Sequence, residues 1–264
     1  MKTAILKSLG ALALAVVATQ PALAQSKPFK VGVTAGPHAQ IMEVVKEQAA
    51  KDGLNIQIIE FTDYVQPNAA LAAGDLDANS YQHQPYLDAA NADRGYKLVS
   101  VGKTVIYPMG IYSKKVKSLK DLPDGGRVSL PNDPTNGGRA LLLLQSEGII
   151  KLRPESGLKA TPIDVVENPK KLRFVELDAA QLPRSLDDVT IAVINTNFAL
   201  EAGLNPKKDS IAIEAPESPY ANVLVVREQD KGRPEVAKFV AAYHTQIVKD
   251  FIAKTFQDSV LTAW

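Results

Sequence analysis

Seven residues carry most of the chemistry this sequence offers: Tyr64, Tyr81, His83, Asn136, Arg139, Asn197 and Asn222. Arg139 poses the sharpest question. It stands in "PNDPTNGGRALLLLQSEG", residues 131–148, where a turn and two glycines lead into the first turn of a predicted helix. A helix amino end already carries partial positive charge, so a cation there is disfavoured unless an anion joins it. A guanidinium fork takes a carboxylate through two parallel hydrogen bonds, and the helix end adds backbone N–H donors for the same anion. Asparagine amides accept from an ammonium and donate to a carboxylate. Rings at Tyr64, Tyr81 and His83 suit an apolar tail, and a thioether gains about 0.3–1.5 kcal/mol from contact with such rings. The set reads as a holder for a zwitterion with an apolar side chain. It contains no paired carboxylates for acid and base work, so binding without catalysis, cofactor or metal is expected.

Each residue also has a structural reading. "TNFALEAGL" makes Asn197 resemble a helix N-cap, and Tyr64, Tyr81 and Tyr86 have the character of core rings. Asn222 lies in an apolar strand, where a buried amide is costly unless satisfied. His38, near a helix start, and His244, on the terminal helix, are expected to be structural. A secreted hydrolase using His83 with Ser80 or Asp63 is a competing class, but no G-x-S-x-G nucleophile turn is present. Three histidines and no cysteine argue against a closed transition-metal site.

The elements that must position these residues follow a leader. "MKTAILKSLGALALAVVATQPALA", residues 1–24, has lysines, an apolar run and an Ala-Leu-Ala site, the pattern of a secretory signal peptide cleaved near Ala24. Cleavage would remove Lys2 and Lys7 from the 30 basic residues and leave them against 29 acidic ones, a net charge of −1. Such a balance implies neither nucleic acid nor an anionic membrane surface as partner. With no cysteine, neither disulfides nor an amino-terminal lipid anchor is expected, and a soluble periplasmic monomer is the expectation.

Downstream, buried strands alternate with amphipathic helices: "FKVGVTA", a helix from Pro37 to Gly53, "NIQIIEF", a short Ala/Leu helix, a short strand at 76–80 and a helix from Pro85 to about Asp93. Two long extended stretches, 96–115 broken at Pro108 and 218–228, have the character of strands that leave one sheet for another. They divide the mature chain into one lobe of residues 25–107 and 224–264 and a second of 108–223. The last stretch, "PEVAKFVAAYHTQIVKDFIAK", is predicted as one amphipathic helix with Val236, Phe239, Val240, Tyr243, Ile247 and Phe251 on its apolar face. An α/β, two-lobed fold places its ligand in the cleft, beyond the carboxyl ends of the strands, where all the candidate residues except Asn222 fall.

The segments "VGVTAGPHAQIMEVVK", "EFTDYVQPNAALAAGDLDANSYQHQPYL", "YPMGIYSKK", "LPNDPTNGGRALLLL" and "VINTNFA" together resemble the MetQ/NlpA family, the methionine-binding components of ABC importers. The resemblance covers nearly the whole mature chain. It implies a periplasmic-binding-protein fold of type II character with two hinge crossovers, capturing L-methionine or a relative such as D-methionine for an ABC permease and its ATPase. Another apolar amino acid or a methionine-containing dipeptide is the alternative. By position, the family's ligand contacts fall on Tyr64, Tyr81, His83, Arg139, Asn197 and Asn222. Two departures stand out: many members carry a lipidated cysteine where this chain has Ala24-Gln25, and relatives can have phenylalanine at Tyr81, whose hydroxyl would admit a more polar ligand side chain.

Overall fold

A computed structural model describes residues 27–217 and 219–264; the leader, 1–24, lies outside them. Alternation of strand and helix starts at once with β1 (Phe29–Thr34), α1 (Pro37–Lys51), β2 (Ile56–Phe61), α2 (Gln66–Ala73), β3 (Ala78–His83), α3 (Gln84–Arg94) and β4 (Leu98–Lys103). The chain crosses over through β5 (Val105–Ile106) into β6 (Gly110–Tyr112), β7 (Arg127–Pro131), α4 (Pro134–Ser146), β8 (Lys151–Leu152), β9 (Val165–Glu167) and β10 (Arg173–Leu177). There follow α5 (Leu182–Ser185), β11 (Ile191–Ile194), α6 (Thr196–Glu201), α7 (Pro206–Asp209) and β12 (Ser210–Ile213). It then returns through residues 214–221 to β13 (Asn222–Arg227), α8 (Pro234–Tyr243), α9 (Gln246–Phe256) and β14 (Leu261–Thr262).

Two five-stranded sheets result, ordered β2-β1-β3-β13-β4 and β10-β7-β11-β6-β12. Each mixes a parallel trio with antiparallel strands: β1 runs parallel to β2 and β3, while β13 opposes β3 and β4. In the second sheet β7 is parallel to β10 and β11, and β6 opposes β11 and β12. Both sheets are covered on two faces, so their central strands are buried along their length: β11 is wholly apolar, whereas β3 buries Asn79, Ser80, Gln82 and His83 among its six residues. The strand period of two still shows in which core each residue enters. Leu224 and Val226 of β13 join the core under α1, α8 and α9, whereas Val223 and Val225 join the one with Leu71 and Leu87. Ile191 and Val193 of β11 face α4, and Ala192 and Ile194 face Leu182 and Phe198.

One predicted helix is two. The carboxyl-terminal stretch breaks at His244 and Thr245, where the Thr245 hydroxyl accepts a hydrogen bond from Val248 N–H at 3.4 Å and so caps α9. The break turns the second segment, and Ile247, expected on the apolar face, is 50% exposed.

The glycines before Arg139 have a packing role. A Cβ on Gly138 would lie 2.3 Å from the Leu158 carbonyl oxygen, and one on Gly137 2.8 Å from that of Pro131. Both neighbours are backbone, so α4 approaches them only with hydrogen at these positions. Gly138→Ala should therefore destabilise the protein by about 1–3 kcal/mol through overpacking, read as a lower urea midpoint with unchanged slope.

Candidate ligand cavity between the two sheets

Strand polarity gathers the candidate residues. The ends of β2, β3, β7 and β11 and the start of the antiparallel β13 lie toward one region, with Asn222 paired opposite His83. There, Tyr64, Tyr81, Gln82, His83, Tyr86, Tyr107, Asn136, Arg139, Asn195, Asn197 and Asn222 line a narrow cavity. All seven residues singled out from sequence are among them.

Arg139 departs from expectation in two ways. Helix α4 begins at Pro134 with Asp133 as its N-cap, so Arg139 lies in the second turn, and the end is already served by an acid: Asp133 accepts from Asn136 N–H at 2.9 Å. More telling, the guanidinium already has an anion. Its Nε donates to Glu214 Oε1 at 3.0 Å, its Nη2 to Glu214 Oε2 and, at 2.8 Å, to the Tyr107 carbonyl, while the Tyr220 ring lies 4.3 Å from its centre. The two-pronged edge expected to take a ligand carboxylate is thus spent on an internal acid. Only Nη1 has no hydrogen-bond partner among the described residues.

His83 is neutral with one tautomer fixed by its partners. Nδ1 accepts from Tyr86 N–H at 3.1 Å, capping α3, so Nε2 carries the proton and donates to Asn136 Oδ1 at 3.1 Å. Burial, aided by the Arg139 charge, lowers its pKa from 6.5 to about 3. Both ring nitrogens are thus engaged by Asn136 and the Tyr86 N–H, and neither is bonded to Ser80 or Asp63, the partners of the hydrolase reading. Asn136 is equally committed: Oδ1 also accepts from Asn195 Nδ2 at 2.9 Å, and Nδ2 donates to the Asp133 carboxylate at 2.9 Å. It reaches the cavity wall as a strut between the sheets rather than as an open amide.

Other amides are less committed. Asn197, the second residue of α6 rather than its cap, accepts from the Tyr64 hydroxyl at 2.6 Å through Oδ1, and its buried Nδ2 has no partner. The buried Oδ1 of Asn195 and the Tyr107 hydroxyl also lack partners among the described residues. Asn222 Nδ2 donates to His38 Nε2 at 3.0 Å and to the Tyr81 carbonyl at 3.2 Å, leaving Oδ1 without one. His38 supports this from behind: its Nδ1 is bonded to the Thr34 hydroxyl at 2.8 Å, and burial lowers its pKa to about 3. Three rings complete the wall, Tyr64 lying 5.9 Å from Tyr81 and 6.1 Å from Tyr86. The Tyr81 hydroxyl, expected to face the ligand, instead donates to the Tyr64 carbonyl at 2.9 Å and holds that loop in place.

Gln82, Tyr107, Glu214 and Tyr220 escaped sequence reasoning. Three of them lie in or beside the crossovers at 104–109 and 214–221, and crossovers between two lobes necessarily pass the cleft. Position in a crossover is the sequence signal for these three.

The fold, two α/β halves joined by two crossovers around an enclosed site, is that of a two-lobed substrate-binding protein. The chain belongs to the NlpA lipoprotein family, whose profile matches residues 29–264. It is similar to a nutrient-binding protein from Burkholderia cenocepacia solved bound to methionine, with 57% identity, a TM-score of 0.88 and coverage of 89% of this chain and 100% of that one. It is also similar to an ABC transporter periplasmic substrate-binding protein from Coxiella burnetii, at 51% identity, TM-score 0.86, and 89% and 99% coverage. The D-methionine-binding lipoprotein MetQ of Escherichia coli K12 is 53% identical over 240 residues, 89% of this chain and 88% of that protein.

Two imidazoles buried neutral have a pH consequence. Their folded pKa values lie below the unfolded 6.5, so the unfolded chain binds more protons between about pH 3 and 6.5. Their contribution to stability is complete above pH 6.5 and is lost progressively as pH falls toward 3. Urea midpoints should therefore drop on acidification through this window, less steeply in a His38→Gln variant, while the ring proton shifts of His38 and His83 stay constant down to at least pH 5 in the folded protein.

Proposed function

We propose that this chain binds methionine in the cavity between its two halves and delivers it, outside the cytoplasm, to an ABC importer composed of a permease and an ATPase. The observation that carries this reading is the set of polar atoms on the cavity wall without protein partners. Asn197 Nδ2 and Arg139 Nη1 are donors suited to a carboxylate, and Asn195 Oδ1 and Asn222 Oδ1 are acceptors suited to an ammonium. Asn197 Nδ2 and Asn195 Oδ1 are fully buried, a state that costs about 1–3 kcal/mol for each group left unsatisfied, and a free amino acid supplies what all four lack. The tyrosine rings beside them suit a thioether. Tyr64, Tyr81 and His83 shape the wall, and Asn136 braces it.

The half built on the first sheet, expected as 25–107 with 224–264 but holding β13 whole from Asn222, and the half built on the second act as lobes that close on the ligand. The bonds from His83 to Asn136 and from Tyr64 to Asn197 join the halves directly and belong to the closed form. Differential affinity for open and closed arrangements drives the motion, and the closed form is what the permease recognises. Among the described residues no helix is long and apolar enough to cross a membrane. The expectation of a chain without a lipid anchor finds no support in its relatives, which are named lipoproteins, although this sequence contains no cysteine.

Titration calorimetry with L- and D-methionine should give a 1:1 complex with at least one enantiomer. Asn197→Ala should weaken it by about 10- to 100-fold, the loss of one buried hydrogen bond to a charged group. Absence of binding by both enantiomers, or an unchanged Kd in the variant, would remove the basis of this assignment.

A further inference from the structure

Glu214 occupies a position that ligand contacts alone do not explain. Its carboxylate accepts from Arg139 Nε, Arg139 Nη2 and, at 3.2 Å, the Met109 N–H, and its own backbone N–H donates to the Met109 carbonyl at 2.8 Å. Held at both backbone and side chain, it has no route away from the guanidinium that does not break several bonds at once. Among the described residues Arg139 is the only ionised side chain on the cavity wall, since His83 is neutral and the other wall residues are amides and phenols. The Arg139 side chain is 3% exposed and that of Glu214 13%, so the charge of the acid is felt in the cavity with little screening by water.

We propose that Glu214 is a specificity-determining residue: its fixed negative charge cancels that of Arg139, so that the cavity is neutral overall and selects a zwitterion over an anion with the same side chain. The inference rests on the methionine reading above. A zwitterion adds no net charge to a cancelled pair, and each of its ends finds polar atoms that need it. A carboxylate without an ammonium would leave one cation facing two anions in an enclosed site, which is costly. The acid also blocks the two-pronged edge of the guanidinium, so a ligand carboxylate meets Nη1 alone and relies on its ammonium for the rest of its hold. Asp133 does not alter this comparison, because its carboxylate is spent on Thr135, Asn136 and the amino end of α4 and is the same in every variant.

The test compares the Kd values of L-methionine and its deaminated analogue γ-methylthiobutyrate for the wild-type protein and for Glu214→Gln. The amide keeps the size of the acid and removes its charge. The wild type should prefer methionine, and Glu214→Gln should shift the ratio of the two constants toward the deaminated anion by about tenfold or more. Equal changes for both ligands would show that Glu214 only positions Arg139 and would overturn the proposal. If Glu214→Gln does not fold, as judged by thermal melting, the double variant Arg139→Gln with Glu214→Gln is used. It holds no charge at the pair and should keep the wild-type ratio at lower affinity for both ligands, whereas a ratio moved toward the anion overturns the proposal equally. A wild type that binds D-methionine alone is tested with that enantiomer, and one that binds neither takes the methionine reading down and this inference with it.

Discussion

A guanidinium buried between two sheets needs an anion, and here the anion comes from the chain itself. The pair of Arg139 and Glu214 sits where α4, the first crossover and the second crossover meet. Arg139 brings the helix, its bond to the Tyr107 carbonyl brings the outgoing connection, and Glu214 with Tyr220 brings the returning one. A buried ion pair of this kind adds little net stability, because desolvation offsets much of the attraction, but separating its members is expensive. Its consequence is geometric: three segments distant in sequence are held in one arrangement, with one edge of the guanidinium left for the cavity.

Around this pair the polar groups are sorted into committed and uncommitted. Asn136 spends its whole amide on His83, Asn195 and Asp133, and in doing so connects the two sheets. His38 and His83 are held neutral by burial, and each offers a lone pair that orients a neighbour, Asn222 Nδ2 in one case and the Tyr86 N–H in the first turn of α3 in the other. What is left over, at Asn195, Asn197, Asn222 and Arg139, is a small set of donors and acceptors whose directions are set by bonds to protein neighbours rather than by the ligand. Preorganisation of that kind lowers the ordering cost of binding.

The tyrosines show the same division. Tyr64 serves as a contact between halves through its hydroxyl and as an anchor through its carbonyl, which accepts from both Tyr81 and Tyr86 at 2.9 and 2.8 Å. With those hydroxyls turned to the Tyr64 backbone, the rings present mainly their faces and edges to the cavity. An apolar, polarisable side chain is better matched to such a wall than a hydrogen-bonding one.

Much of this was legible in the sequence. The strand-helix alternation, the two long extended stretches and the break at Pro108 are local patterns, because hydrophobic period and proline chemistry act within a few residues. They led to the fold class and to the seven wall residues, with help from long motifs shared with a family. Other features needed the tertiary structure. Nothing near Arg139 in sequence announces Glu214, which lies 75 residues away, and an acid in a loop reads as solvated until the crossovers bring it beside a cation. The hydroxyl of Tyr81 and the amide of Asn136 were assigned to a ligand on their chemistry alone, yet whether a polar group is spent or available depends on neighbours from other elements. Sequence therefore determined which kinds of groups line the cavity. Only the packing of both halves decided which of them still lack a partner, because a hydrogen-bond ledger closes in three dimensions and not along the chain.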